Sequence, residues 1–309
     1  MPAYDRIGAL LDSGAAVLLD GSMGSELVRR GVRWRWHGLR TDPEKVQALH
    51  EEYLAAGADV IRTNTFQLNP RVYLNVFRNP DHMRHIGAPG VEARAVELTR
   101  KAVEVVRAAR DASRRDAAIA GVLSPLEHCF RPDLAPKAAQ ARAEHAEIAS
   151  LLAEGGVDLL ILESMNTIGE AQAAAQAALD TGLPVWASFV PGPEGEILSG
   201  DSLVVGAKAM DELGVHVILV NCAPPEDITL ALSKLRAATE RPIGAFAHIG
   251  CFDPPSWKFE FHPQFAGTEA WPPDRYADIA RSWLEAGTRV IGGCCGTGPD
   301  HIRALREVL

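Results

Sequence analysis

Short runs of apolar and β-branched residues alternate with amphipathic stretches along the whole chain. The runs that read as strands are Ala15–Asp20, Asp59–Thr63, Ala117–Leu123, Asp158–Glu163, Pro184–Val190, Val215–Asn221, Pro242–His248 and Thr288–Gly292. A segment of helical character follows each. The clearest joins Val91, Ala95, Leu98, Ala102, Val105 and Ala109, which recur at spacings of four and three and so share one helical face. Links from helix to strand are short and repeat a pattern: Ala56-Gly57-Ala58-Asp59, Glu154-Gly155-Gly156-Val157, Leu213-Gly214-Val215-His216 and Ala286-Gly287-Thr288-Arg289. Each is expected to hold a glycine that ends the helix in the left-handed conformation.

Links from strand to helix are longer and more varied. Eight parallel strands with helices between them predict an α/β fold, a (β/α)8 TIM barrel, as one domain over residues 1–309. An open doubly wound sheet has fewer repeats and a glycine-rich phosphate fingerprint after its first strand, and Asp20-Gly21-Ser22-Met23-Gly24 lacks that spacing. In a barrel the strand-to-helix loops gather at one end, which is where chemistry is expected.

Composition narrows the partners. The 309 residues carry a formal charge of −9, which disfavours nucleic acid and anionic membrane. No apolar run is long enough to span a bilayer, and Met1 to Ser13 lacks the pattern of a signal peptide. Five cysteines, two of them adjacent, do not read as a disulfide framework. A cytoplasmic protein with reduced thiols is expected; oligomeric state is not legible.

The chemistry gathers where strands end. Ile291-Gly292-Gly293-Cys294-Cys295-Gly296-Thr297-Gly298 puts two thiols on a tight glycine-flanked turn. Two small buried hydrophobes would explain the cysteines but not the glycines. Asn221-Cys222 ends the sixth strand, one strand away from the eighth, about twice the inter-strand spacing of ~4.8 Å. Three thiolates from Cys222, Cys294 and Cys295 can converge on one Zn²⁺ and leave a coordination position open, as in a catalytic site. His248 or Cys251, after the seventh strand, could instead close that position. Asp20 is either a turn former or a carboxylate aimed at a cationic ligand. Glu163, at the tip of the apolar fourth strand, needs a partner: a ligand ammonium, which is favoured, or an arginine elsewhere in the barrel. The polar run Thr63-Asn64-Thr65-Phe66-Gln67 could hold a small polar ligand or satisfy loop backbone. The long aromatic and proline-rich stretch from Phe252 to Pro273 reads as a loop without regular structure, packing as a lid.

With these residues in place, the sequence resembles the homocysteine S-methyltransferase family, which includes betaine– and S-methylmethionine–homocysteine methyltransferases and the homocysteine module of cobalamin-dependent methionine synthase. The stretches that carry the resemblance are Asp20 to Gly24, Gly57 to Phe66, Gly156 to Glu163, Val220-Asn221-Cys222 and Gly292 to Gly296. The resemblance implies a (β/α)8 barrel, zinc held by Cys222, Cys294 and Cys295, and Asp20 and Glu163 at the amino end of homocysteine. Thr65, Gln67 and Asn221 are taken as further substrate contacts. The expected reaction moves a methyl group from a small sulfonium or ammonium donor, S-methylmethionine or S-adenosylmethionine favoured, to the homocysteine thiolate, giving methionine. No side chain need act as a general base, because zinc deprotonates a bound thiol. Other readings are methylation of another thiol or a selenol, a separate corrinoid protein as donor, and a non-catalytic zinc or redox thiol protein.

Overall fold

The computed structural model describes residues 3–32, 35–71, 91–253 and 264–309. The elements follow in the order α1 (Ala3–Asp12), β1 (Val17–Leu18), α2 (Met23–Arg29), α3 (Pro43–Ala55), β2 (Val60–Arg62), α4 (Val91–Ser113), β3 (Ala118–Leu123), α5 (Ala138–Glu154), β4 (Leu159–Met165) and α6 (Ile168–Leu179). After them come β5 (Val185–Phe189), α7 (Leu203–Leu213), β6 (Val217–Asn221), α8 (Pro225–Ala238), β7 (Ile243–Phe246), β8 (Cys251–Asp253), β9 (Gln264–Ala266), α9 (Pro273–Glu285), β10 (Val290–Ile291) and α10 (Pro299–Glu307).

All eight expected strands are present, seven of them shorter than their apolar runs, while β4 runs on to Met165. They pair in parallel in the order β1-β10-β7-β6-β5-β4-β3-β2. A parallel bridge between Leu19 and Val60 joins the two ends, so the sheet closes into a (β/α)8 barrel. Side chains alternate across it with period two. Val17 and Leu19, Leu159 and Ile161, and Val217 and Leu219 share the inner cluster, while Leu18, Leu160, Leu162, Ile218 and Val220 pack outward against the helices. Gly57, Gly156, Gly214 and Gly287 all take positive φ at the expected helix ends.

Helix α1 has no counterpart in the strand count. Its Ile7 and Leu11 join the inner cluster beside Trp186, and Trp186 Nε1 donates to the Tyr4 hydroxyl at 3.3 Å. Arg6 pairs with Asp59 and Asp116, which lie just before β2 and β3. Helix α1 therefore plugs the end of the barrel where the strands begin. Fully burying a side chain the size of Trp186 removes on the order of 200 Å² from water, worth about 5 kcal/mol.

The expectation of an irregular Phe252–Pro273 loop needs correcting at its edges. β8 and β9 pair antiparallel, and Thr268–Ala270 is a 3-10 turn. The aromatic centre of that stretch, and with it the expected lid, lies outside the described residues. No described helix is long and apolar enough to cross a membrane.

Candidate metal centre

Strand β6 turns Val217, Leu219 and Asn221 inward, so an ideal strand would send Cys222 outward. Cys222 instead has φ 57°. A left-handed residue with a Cβ costs on the order of 1 kcal/mol, and here it brings two consecutive residues, Asn221 and Cys222, to the same mouth. The backbone N–H of Cys222 donates to Phe246 at 3.3 Å, which ties the turn to β7.

The other two thiols follow β10. Gly293 N–H donates to the Asp20 carbonyl at 3.1 Å, Cys294 N–H to Ala247 at 2.9 Å, and Ile249 N–H to the Cys295 carbonyl at 2.9 Å. The loop is thus pinned between β1 and β7. From α9, the Tyr276 hydroxyl donates to the Gly292 carbonyl at 2.8 Å. Thr297 Oγ1 donates to the Cys294 carbonyl at 2.6 Å, and a Cβ on Gly293 would lie 2.1 Å from that oxygen. Only glycine fits there.

The Sγ atoms of Cys222, Cys294 and Cys295 lie within 4.8 Å of one another. A tetrahedral zinc with bonds of ~2.3 Å separates its sulfurs by about 3.8 Å, so the donor set and its spacing fit that ion. Hydrogen bonds from Cys222 and then Cys295 hold the Cys294 thiol well below the usual range, with the Arg62 charge adding to the effect. The same bond to Cys294 pushes Cys222 up. Among the described residues no histidine, carboxylate or further thiol joins this group. Cys251 is exposed on β8, and the His248 ring bonds to the backbone of Cys222. Neither of the two residues considered for a fourth ligand sits in the cluster.

Beside the thiols lies a buried ion cluster. Arg62 follows the inward-facing Val60 on β2 and points to the same face. Its Nε donates to Asp20 Oδ1 at 2.6 Å and its backbone N–H to Asp20 Oδ2 at 2.9 Å. Its Nη2 donates to the carbonyls of Asp20, Gly21 and Gly293 at 3.1, 2.9 and 2.8 Å. Nη1 meets Glu163 Oε2 at 3.2 Å, and the guanidinium carbon lies 4.8 Å from the centre of the Phe246 ring. Asp20 is completely buried, with both carboxylate oxygens engaged by Arg62. The arginine considered as a partner for Glu163 exists, so a ligand would not be its sole cation. Glu163 Oε1 has no hydrogen-bond partner among the described residues, and its side chain stays 10% exposed. Burial pushes the Glu163 carboxyl up to about 7, with Arg62 opposing that rise.

The remaining expected contacts divide. Asn221 is enclosed: its Oδ1 accepts from Ser164 N–H at 3.1 Å and Ser188 Oγ at 2.6 Å, while its Nδ2 donates to Ser164 Oγ at 2.7 Å and Cys294 Sγ at 3.8 Å. It braces the Cys294 sulfur. Thr65 Oγ1 donates to the Val122 carbonyl at 2.8 Å and meets Thr63 Oγ1 at 2.8 Å, a strut between β2 and β3. Gln67 takes φ 56°, and its buried Nε2 has no partner among the described residues, a donor that a ligand could satisfy. Sequence reasoning gave Arg62 no role. A charge at the tip of the apolar Val60-Ile61 strand was the available signal, the same one that singled out Glu163.

Residues 17–309 match the homocysteine S-methyltransferase family. Homocysteine S-methyltransferase of Escherichia coli (strain K12) is 28% identical, over 99% of this chain and 99% of that protein. Betaine–homocysteine S-methyltransferase 1 of Danio rerio is also 28% identical, over 100% of this chain and 77% of its own. The crystal structure of the metallated form of the homocysteine methyltransferase MmuM from Escherichia coli superposes with a TM-score of 0.79 at 26% identity, covering 97% of this chain and 98% of that one.

Proposed function

The chain belongs to the homocysteine S-methyltransferase family, and from that premise we propose that it transfers a methyl group from a sulfonium donor, S-methylmethionine or S-adenosylmethionine, to homocysteine, giving methionine. The observation that carries this reading is the cluster of three thiols at the barrel mouth, with no fourth protein ligand among the described residues. Cys222, Cys294 and Cys295 would hold zinc, which would supply a Lewis acid that lowers the acceptor thiol's pKa so that its proton is lost to solvent near neutral pH.

The chain's own residues supply position. The backbone bonds of Cys294 to Ala247 and of Cys295 to Ile249, just past β7, fix two sulfurs, and the left-handed turn at Cys222 fixes the third. Glu163 Oε1 offers a carboxylate to the acceptor's ammonium group. The Gln67 amide offers a donor to a polar group of either substrate. Holding thiolate and methyl carbon in line turns a bimolecular encounter into a positioned displacement. The new S–C bond forms as the donor's C–S⁺ bond breaks, and the donor leaves as a neutral thioether with the bonding pair. A thioether, a much weaker base than the tertiary amine that a quaternary ammonium such as betaine would release, is the better leaving group, which favours a sulfonium donor.

The test is a donor panel on zinc-loaded protein: S-methylmethionine, S-adenosylmethionine, betaine and a methylated corrinoid, each offered with homocysteine. Methionine should form with a sulfonium. Cys222→Ala should lose metal and turnover together while far-UV circular dichroism shows the barrel intact. Retained turnover in the metal-free variant would overturn the reading.

A further inference from the structure

One buried side chain at the mouth uses all of its hydrogen-bonding capacity, and part of it goes to a sulfur. Asn221 is completely buried. A side-chain amide has an oxygen with two lone pairs and a nitrogen with two hydrogens. The Ser164 backbone N–H can only donate, so the atom that it meets at 3.1 Å has to be Oδ1, and this fixes which way the amide faces. The Ser188 hydroxyl donates to the same oxygen at 2.6 Å. Nδ2 then gives one hydrogen to Ser164 Oγ at 2.7 Å and has one left, whose acceptor is Cys294 Sγ at 3.8 Å. Nothing remains for a substrate. Ser164, Ser188 and Asn221 are all fully buried on the neighbouring strands β4, β5 and β6. Ser164 takes φ 63° where the β4–β5 register shifts between Leu162 and Met165, and its N–H turns from the ladder to the Asn221 oxygen.

Sulfur is a weak acceptor until it is ionised, and a bond to an ionised acceptor is the stronger kind. Three thiolates on a divalent zinc leave one net negative charge, and a fourth thiolate would leave two. That second charge is the difficult one in a buried site. We propose that Asn221 is a positioning residue for Cys294: its amide N–H draws charge from that sulfur and so lets the three-thiolate site accept a fourth, anionic sulfur. This rests on zinc as the metal of the proposed function. The next residue, Cys222, is itself one of the three thiols, so a single left-handed turn delivers one sulfur and the bond that tempers another. Aspartate has the same shape but could not replace it. With one oxygen on Ser164 and Ser188, it would turn the other, a second acceptor, on the Cys294 sulfur.

The experiment uses zinc- and cobalt-loaded protein without methyl donor, with homocysteine and 2-mercaptoethanol as probes. Optical titration of the cobalt form gives thiol affinity together with the energy of the sulfur-to-cobalt charge-transfer band. In Asn221→Asp zinc should stay at one per chain while affinity for both thiols falls about tenfold. The band should move to lower energy, since a sulfur without its donor holds its electrons less tightly. Asn221→Ala, which removes the proton without adding an acceptor, should move both readings the same way by less, and it decides alone should the aspartate variant fail to fold. A merely structural role would alter unfolding midpoints and leave the band in place. An unmoved band, or unchanged affinity for 2-mercaptoethanol, would overturn the proposal; the second outcome with homocysteine weakened would make Asn221 a substrate contact. Loss of zinc in step with loss of thiol binding would overturn it too. Turnover is a separate measurement: a shifted band with no methionine from any donor refutes the methyl transfer and leaves the role of Asn221 standing.

Discussion

On α3, His50 is fully buried, and neither ring nitrogen finds a hydrogen-bond partner among the described residues. Burial alone drops its pKa to about 3. The folded chain therefore keeps this ring neutral while an unfolded chain protonates it near pH 6.5. Stability from the neutral ring is complete above that value and is lost as pH falls towards 3, at about 1.4 kcal/mol per unit and ~5 kcal/mol at most. Urea midpoints measured from pH 7 to pH 4 should fall more steeply for the wild type than for His50→Leu; parallel curves would show that the ring finds a proton acceptor. Arg62 is the opposite case, a buried charge whose every arm is engaged. Buried polarity is a cost at one position and a framework at the other, and the number of partners decides which.

The element scale is where period and punctuation speak most directly. Helix α7 ends at Gly214 with φ 86°, and a Cβ there would meet no atom within 4 Å. Gly214→Ala should therefore destabilise through backbone conformation alone, by about 1 kcal/mol, read as a shift in denaturant midpoint with unchanged slope. A shift below ~0.3 kcal/mol would mean the turn relaxes. The eight strands were legible because each is an apolar run bounded by such a glycine or a polar loop. Helix α1 was not, since Ile7 and Leu11 show their purpose only once an open barrel end exists to be filled. The β8–β9 ribbon hides in the same way, because its strands face each other across an intervening stretch of chain. At the site, the three cysteines were readable from their glycines and strand ends. The commitment of Asp20 to Arg62 was not, because residues 42 apart meet only when strand phase fixes which side chains look inward.

At the scale of the whole molecule, the sulfurs join β6 to the loop after β10 across a barrel that α1 and Trp186 stopper from below. Among the described residues α1 closes the end of the barrel where the strands begin, which leaves the opposite mouth as the way in for both reactants. Under the proposed function the acceptor, whose thiol has to reach the sulfur cluster, would enter first and the methyl donor would stand behind it. Departure runs in reverse, spent donor before methylated product. Initial-rate kinetics should accordingly be sequential and ordered, with an unreactive donor analogue inhibiting uncompetitively against homocysteine; a competitive pattern would mean a second way in.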